Sequence, residues 1–139
     1  MRTAAASAEV ATPSRFAVVN VTGAVRRALA DSGLRRGLVL VSVPHTTCAL
    51  VLNEDEAGLA GDLARLAAEL PGTVEPAGGF AHDRIDDNAR AHLFAALAGH
   101  SVTVPIEDGA LRLGTWQSCL LLEADGPRSR RLEMTFLGE

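Results

Sequence analysis

SVTVPIEDGALRLGTWQSCLLLEADGPRSRRLEMTFL, residues 101–137, decides the fold class. SVTVPI reads as a strand, Glu107-Asp108-Gly109 as a turn, and Leu111 to Leu113 as a short return strand. QSCLLLEA follows at residues 117–124. Asp125-Gly126-Pro127-Arg128 then supplies hairpin-turn residue types, and RLEMTFL completes a β-rich end. Short strands joined by tight turns pair antiparallel.

Upstream, helical and extended patterns mix without regular β-α alternation. FAVVNV, Phe16 to Val21, is β-branched and predicts a strand, with Thr22 capping a short helix over Gly23 to Ala30 that Ser32-Gly33 ends. GLVLVSV, Gly37 to Val43, predicts a strand buried on both faces, stopped by Pro44. A second apolar strand runs from Cys48 to Leu52. Leu59, Leu63, Leu66, Ala67 and Leu70 recur at helical spacing, so Glu56 to Leu70 reads as an amphipathic helix. Another helix spans Asn88 to Leu97, capped by Asp86 or Asp87 and closed by Gly99. The expectation is an α+β class: a mainly antiparallel, β-sandwich-like sheet with two or three helices.

The 139 residues suit one domain, expected over residues 15–139, with residues 1–14 as a loose Ala-rich tail. Apolar residues make up 47% and charged residues 22%, a globular composition that excludes disorder over the whole chain. A net charge of -4 argues against nucleic acid or anionic lipid as partner, and no apolar run approaches the roughly 18 residues of a membrane span. All 13 basic residues are Arg, so Schiff-base chemistry through a lysine is excluded. Cys48 and Cys119 are too few for a disulfide scaffold. The N-terminus lacks the apolar core of a signal peptide, so the expected location is the cytoplasm.

Four histidines carry the chemical interest. His45 follows the end of a strand, where side chains often line a site. His82 sits in a Gly-rich loop beside Asp83, Asp86 and Asp87. His92 lies four residues after Asn88, on the same helix face. His100, beyond the helix end, reads as structural. His45, His82 and His92 with Glu54, Asp86 or Asp87 form a residue set suited to a divalent metal such as Zn or Mg, or to acid-base work without one. Cys48 opens an apolar run, which predicts a buried, inert thiol. The guanidinium of Arg128 could meet a phosphate; for the Arg128, Arg130, Arg131 cluster the alternative is a solvated strand edge. The lone Trp116 is expected in the core, which turns Gln117 to the opposite face.

The order of motifs resembles the YjbQ family, also called UPF0047. Its C-terminal signature appears as Ser101 to Cys119 with Asp125-Gly126-Pro127-Arg128 and Leu137-Gly138-Glu139. Its VPHTT segment appears as Val43 to Thr47, and its NE as Asn53-Glu54. Its loop histidine appears as His82, and its D-N-x-x-x-H-L segment as Asp87-Asn88 through His92-Leu93. The resemblance implies a compact homotrimer with a pocket between subunits. It also implies a weak thiamine-phosphate synthase (transferase) activity, in which a thiazole phosphate nitrogen attacks the methylene carbon of an aminopyrimidine diphosphate and pyrophosphate leaves. The site it implies has His45, His82, His92, Glu54 and Asp87 as catalytic candidates. Asn53, Asn88, Gln117 and Arg128 are its candidates for binding a small phosphorylated metabolite. Two alternatives stay open on the same residues: a metal-dependent hydrolase or lyase, with His45, His82 and His92 as ligands, and a non-catalytic metabolite-binding trimer.

Overall fold

The computed structural model describes residues 1–139. In chain order the strands are β1 (Arg2–Ala11), β2 (Ala17–Asn20), β3 (Gly37–Ser42), β4 (Cys48–Asn53), β5 (Ser101–Glu107), β6 (Ala110–Leu111), β7 (Ser118–Glu123) and β8 (Ser129–Gly138). The helices are α1 (Thr22–Ser32), α2 (Ala57–Glu69) and α3 (Ala89–Ala98), with short 3-10 turns at Leu70–Val74 and Ala81–Arg84. All pairings are antiparallel, in a five-stranded sheet ordered β1-β8-β3-β5-β6 and a three-stranded sheet ordered β2-β7-β4. The α+β expectation holds.

Two apolar cores explain the layering. Val39, Val41, Met134 and Phe136 of the larger sheet, Leu50 and Leu121 of the smaller one, and Val25 and Leu29 of α1 belong to a single buried cluster. On the far side of the smaller sheet, Ala67 of α2 and Ala91 and Phe94 of α3 cover Ala49, Leu120 and Leu122. The strands buried on both faces are therefore β4 and β7. β3, expected to be so, buries only Val39 and Val41, while Leu38 and Leu40 remain 38% and 41% exposed on the outer face. Its apolar run reads the same in sequence whether one face or both is covered.

The N-terminal residues are not a loose tail. All ten residues of β1 pair with β8, from Arg2 opposite Gly138 to Ala11 opposite Ser129. Ala4, Ala6 and Ala8 turn toward the core, a periodicity that Ala-rich sequence hides because its outward neighbours are also small. At the other end of the sheet β3 meets β8 at a glycine pair. Gly37, at φ +144°, faces Gly138, and a Cβ on either would collide with the opposite backbone.

The caps differ from those expected. Thr22 lies inside α1, its hydroxyl accepting from the Cys119 amide at 2.8 Å. Glu56 caps α2 by accepting from the Gly58 and Leu59 amides, which hold its carboxyl below the usual carboxylate range. α3 receives its cap from Asp83, whose carboxylate accepts from the Ala89 amide at 3.0 Å, rather than from Asp86 or Asp87.

Candidate functional site

β4 and β7 run antiparallel with Cys48 opposite Glu123 and Asn53 opposite Ser118. At roughly 3.4 Å per residue, the two ends of this ladder stand about 17 Å apart. That spacing divides the predicted residues. Asn53, Glu54 and the loop carrying Gln117 belong to one end; His45, His82, His92, Asn88 and Arg128 gather at the other. Gln117 is exposed, and its side-chain oxygen accepts from the Gly114 amide at 2.8 Å rather than meeting any histidine. Trp116 is 73% exposed in the same loop, because the strand begins only at Ser118 and the expected core position does not exist.

The histidine end stands on a buried ion pair. Glu123 and Arg130 are 1% and 4% exposed, with Arg130 Nε donating to Glu123 Oε2 at 2.7 Å. Arg130 also donates to the Thr47 hydroxyl at 2.8 Å, so it is not the solvated edge residue expected from its Arg-rich neighbours. Thr12 donates to Glu123 Oε2, and the Ala124 and Asp125 amides donate to Oε1. Burial alone would raise the Glu123 pKa. The bonds from Arg130, the Asp125 amide and Thr12 outweigh it and hold the carboxyl below its usual range.

Two branches rise from this pair. In one, the main chain leaves β3 at Ser42, and His45 Nε2 accepts the Arg131 amide of β8 at 2.8 Å. A neutral His45 therefore carries its proton on Nδ1. Burial first, then the neighbouring Arg130 charge, lowers the His45 pKa below 6.5 against the opposing field of Glu123. In the other branch, Arg128 donates to Asp125 through Nε (to the carbonyl, 2.7 Å) and a terminal nitrogen (to Oδ2, 3.0 Å). Asp125 Oδ2 also accepts from Asn88 Nδ2 at 3.0 Å, and Asn88 Oδ1 meets His82 Nε2 at 3.0 Å. Asn88 is buried and sits at the N-cap of α3, yet its side chain makes no cap bond; it is spent on this chain instead.

His92 joins the branches. Its ring packs edge-to-face on His82 at 4.7 Å between centroids, and with His45 it lines a cleft of about 310 Å³. Thr46, Cys48, Ala95, Ala96 and His100 complete the walls. His100, expected to be structural, is thus a site residue; its spacing of four and eight from Ala96 and His92 was the available signal. Asp125 was also missed; it holds Asn88, whereas Asp87, a catalytic candidate of the resemblance, has an exposed side chain with no partner there. Cys48 is buried with its thiol pushed up to about 11 by desolvation, the environment of an unreactive sulfur. A larger cleft of about 380 Å³ between β1 and α1 is walled chiefly by alanines and contains no histidine.

The expected three-histidine metal centre is not assembled. No three His, Cys, Asp or Glu side chains come together as ligands; His45 Nε2 accepts the Arg131 amide and His82 Nε2 meets Asn88 Oδ1. What the arrangement offers is a pair of imidazoles engaged in opposite senses: His45 Nε2 accepts an amide, while His82 Nε2 faces an amide oxygen, which can only accept.

The family description "UPF0047 protein YjbQ-like" matches residues 6–139. The chain belongs to the YjbQ (UPF0047) family. A UPF0047 protein of Archaeoglobus fulgidus is 50% identical over 121 residues, covering 87% of this chain and 91% of that one. Bacillus subtilis YugU is 30% identical, with 94% and 96% covered. Among solved structures, a YbjQ-like protein of unknown function from Sulfolobus solfataricus aligns with TM-score 0.92 at 36% identity over 99% of both chains. A hypothetical protein from Aeropyrum pernix aligns at 0.90 and 42% over the whole of both. The YjbQ fold thus extends across the entire chain, β1 included.

Proposed function

We propose that this YjbQ-family chain is a small homotrimeric enzyme acting on a phosphorylated metabolite at the histidine cleft, with proton transfer by its imidazoles. The observation that carries the reading is the opposite engagement of two imidazoles, His45 Nε2 facing an amide donor and His82 Nε2 facing an amide oxygen, which favours opposite tautomers and so the equipment of paired acid-base work. The reaction is the one the resemblance implies, thiamine-phosphate formation at low turnover. In it the methylene–oxygen bond of the aminopyrimidine diphosphate breaks, pyrophosphate takes the electron pair and a proton or hydrogen bond from a histidine N–H of the cleft, and the thiazole nitrogen supplies the new bond. Charge on the departing pyrophosphate is met by Mg²⁺ brought with the substrate and by the exposed edge of Arg128.

A trimer gives the divided residues a common purpose. The Asn53, Glu54 and Gln117 end of one protomer can meet the histidine end of another, which a distance of about 17 Å forbids within one chain. The outward Leu38, Leu40 and Leu137 of the larger sheet supply apolar surface for such contact. Two free thiols, both pushed up to about 11, suit a reducing cytoplasm.

Purified chain is given both substrates with Mg²⁺, and pyrophosphate release is followed beside His92→Ala and His45→Gln. Sedimentation reports whether three chains of 14.5 kDa travel together. Turnover lost in both variants supports the reading. Equal turnover in all three proteins, or none in wild type, refutes the assigned reaction, and a stable monomer refutes the shared site.

A further inference from the structure

Asp125 is not among the residues lining the cleft, shares no hydrogen bond with His45 or His92, and belongs to a turn in which Arg128 alone was expected to carry chemistry. Its carboxylate can only accept. Asn88 must therefore present Nδ2 to Asp125, leaving Oδ1 as the sole group that faces His82. An amide oxygen can only accept, so His82 must keep its proton on Nε2 and leave Nδ1 as its unpaired nitrogen. The reverse orientation of Asn88 would set its oxygen against the Asp125 carboxylate, acceptor against acceptor, and forfeit that hydrogen bond. Asp125 is itself fixed on three sides: Arg128 on Oδ2 and on the carbonyl, and Glu123 on the amide.

We infer that Asp125 is a positioning residue, which sets the tautomer of His82 from two bonds away by locking the flip of Asn88. The role deepens the acid-base reading of the cleft and rests on it only for the effect on turnover. The proton's location is a property of the folded chain, readable without substrate. A merely structural Asp125 would change the melting temperature and leave that proton where it is.

The test is imidazole ¹⁵N correlation spectroscopy on full-length wild type and Asp125→Asn, at alkaline pH where histidines are neutral. Wild type is expected to show His82 as the Nε2–H form alone. An amide at position 125 can offer either end to Asn88, so Asp125→Asn is expected to give a mixture with Nδ1–H, with turnover down roughly tenfold to a hundredfold, as for other orienting partners. His82 found as Nδ1–H in wild type overturns the inference, whether or not the variant folds. A variant that keeps His82 wholly as Nε2–H also overturns it. A shifted tautomer with unchanged pyrophosphate release upholds Asp125 and refutes the assigned reaction instead.

Discussion

Replacing Arg130 by Met isolates the buried ion pair. The methionine keeps most of the volume but removes the guanidinium bonds to both Glu123 oxygens and to the Thr47 hydroxyl. Glu123 is then left 1% exposed, held only by the Thr12 hydroxyl and two amides. Removing one member of a buried pair costs about 3–5 kcal/mol, because the other charge stays desolvated. Unfolding entropy of about 2.1 cal/mol/K per residue makes about 0.3 kcal/mol/K over 139 residues, so the melting temperature should fall by about 10–17 °C. Urea unfolding at neutral pH should show the same loss in midpoint at constant slope. Removing both charges, as Glu123→Leu with Arg130→Met, should recover most of it. The pH dependence has a fixed sign. The Glu123 pKa is lowered in the fold, so its contribution is present above 4.5 and is lost as pH falls through the folded value. In Arg130→Met the carboxyl loses the partner that lowers its pKa against burial, so this acid loss should shrink or reverse in sign, protonation relieving the stranded charge. A single variant within about 1 kcal/mol of wild type, or a double variant no better than the single, would refute the argument that charge burial governs this region.

Cys48 and Cys119, both buried with thiols pushed up to about 11, should resist a thiol reagent in the native chain and react rapidly after denaturation; fast native labelling would contradict their environment. The His45 pKa is lowered from 6.5, so its stabilising contribution is present above 6.5 and lost as pH falls through the folded value. His45→Gln should flatten that part of the stability–pH curve, and an imidazole titrating at or above 6.5 would sink the assignment. Gly37→Ala should cost about 1–3 kcal/mol in urea melts, since the new methyl meets the Leu137 carbonyl at a strained φ; a neutral result would mean the sheet yields there. Deleting residues 2–11 should leave β8 with an open edge and drive self-association seen by light scattering; a monodisperse product would count against β1 as edge protection.

Strong periodicity was legible and weak periodicity was not. The leucines of α2 announced that helix directly, whereas Asp125 to Arg128, expected to close a hairpin, instead carries the chain from β7 of the smaller sheet to β8 of the larger one. β1 was hidden because alternation between alanine inside and alanine or serine outside carries no hydropathy signal, although the ten-residue ladder is long. At the site, His45, His82, His92 and Asn88 were found from their positions at strand ends and on a helix face. The Glu123–Arg130 pair was missed because each residue looks like an ordinary surface charge until the partner seven residues away is placed on a strand of the other sheet. Glu54, Asn53 and Gln117 were grouped with the histidines by the resemblance, and the β4–β7 register separates them within one chain.

The Arg131 amide points to the side of β8 that β3 covers only from Glu133 onward, the Ser42–Glu133 pair being the last rung. The His45 ring supplies the next rung in place of a backbone carbonyl. A side chain in that position is mortar as well as reagent. Adding a proton to Nε2 would turn the acceptor into a second donor aimed at an amide, so acid should unfasten this corner of the sheet. Alanine at position 45 would open the same gap at every pH. Lost activity in that variant would therefore confound fraying with chemistry, whereas glutamine, with its own carbonyl oxygen, can keep the rung while removing the imidazole.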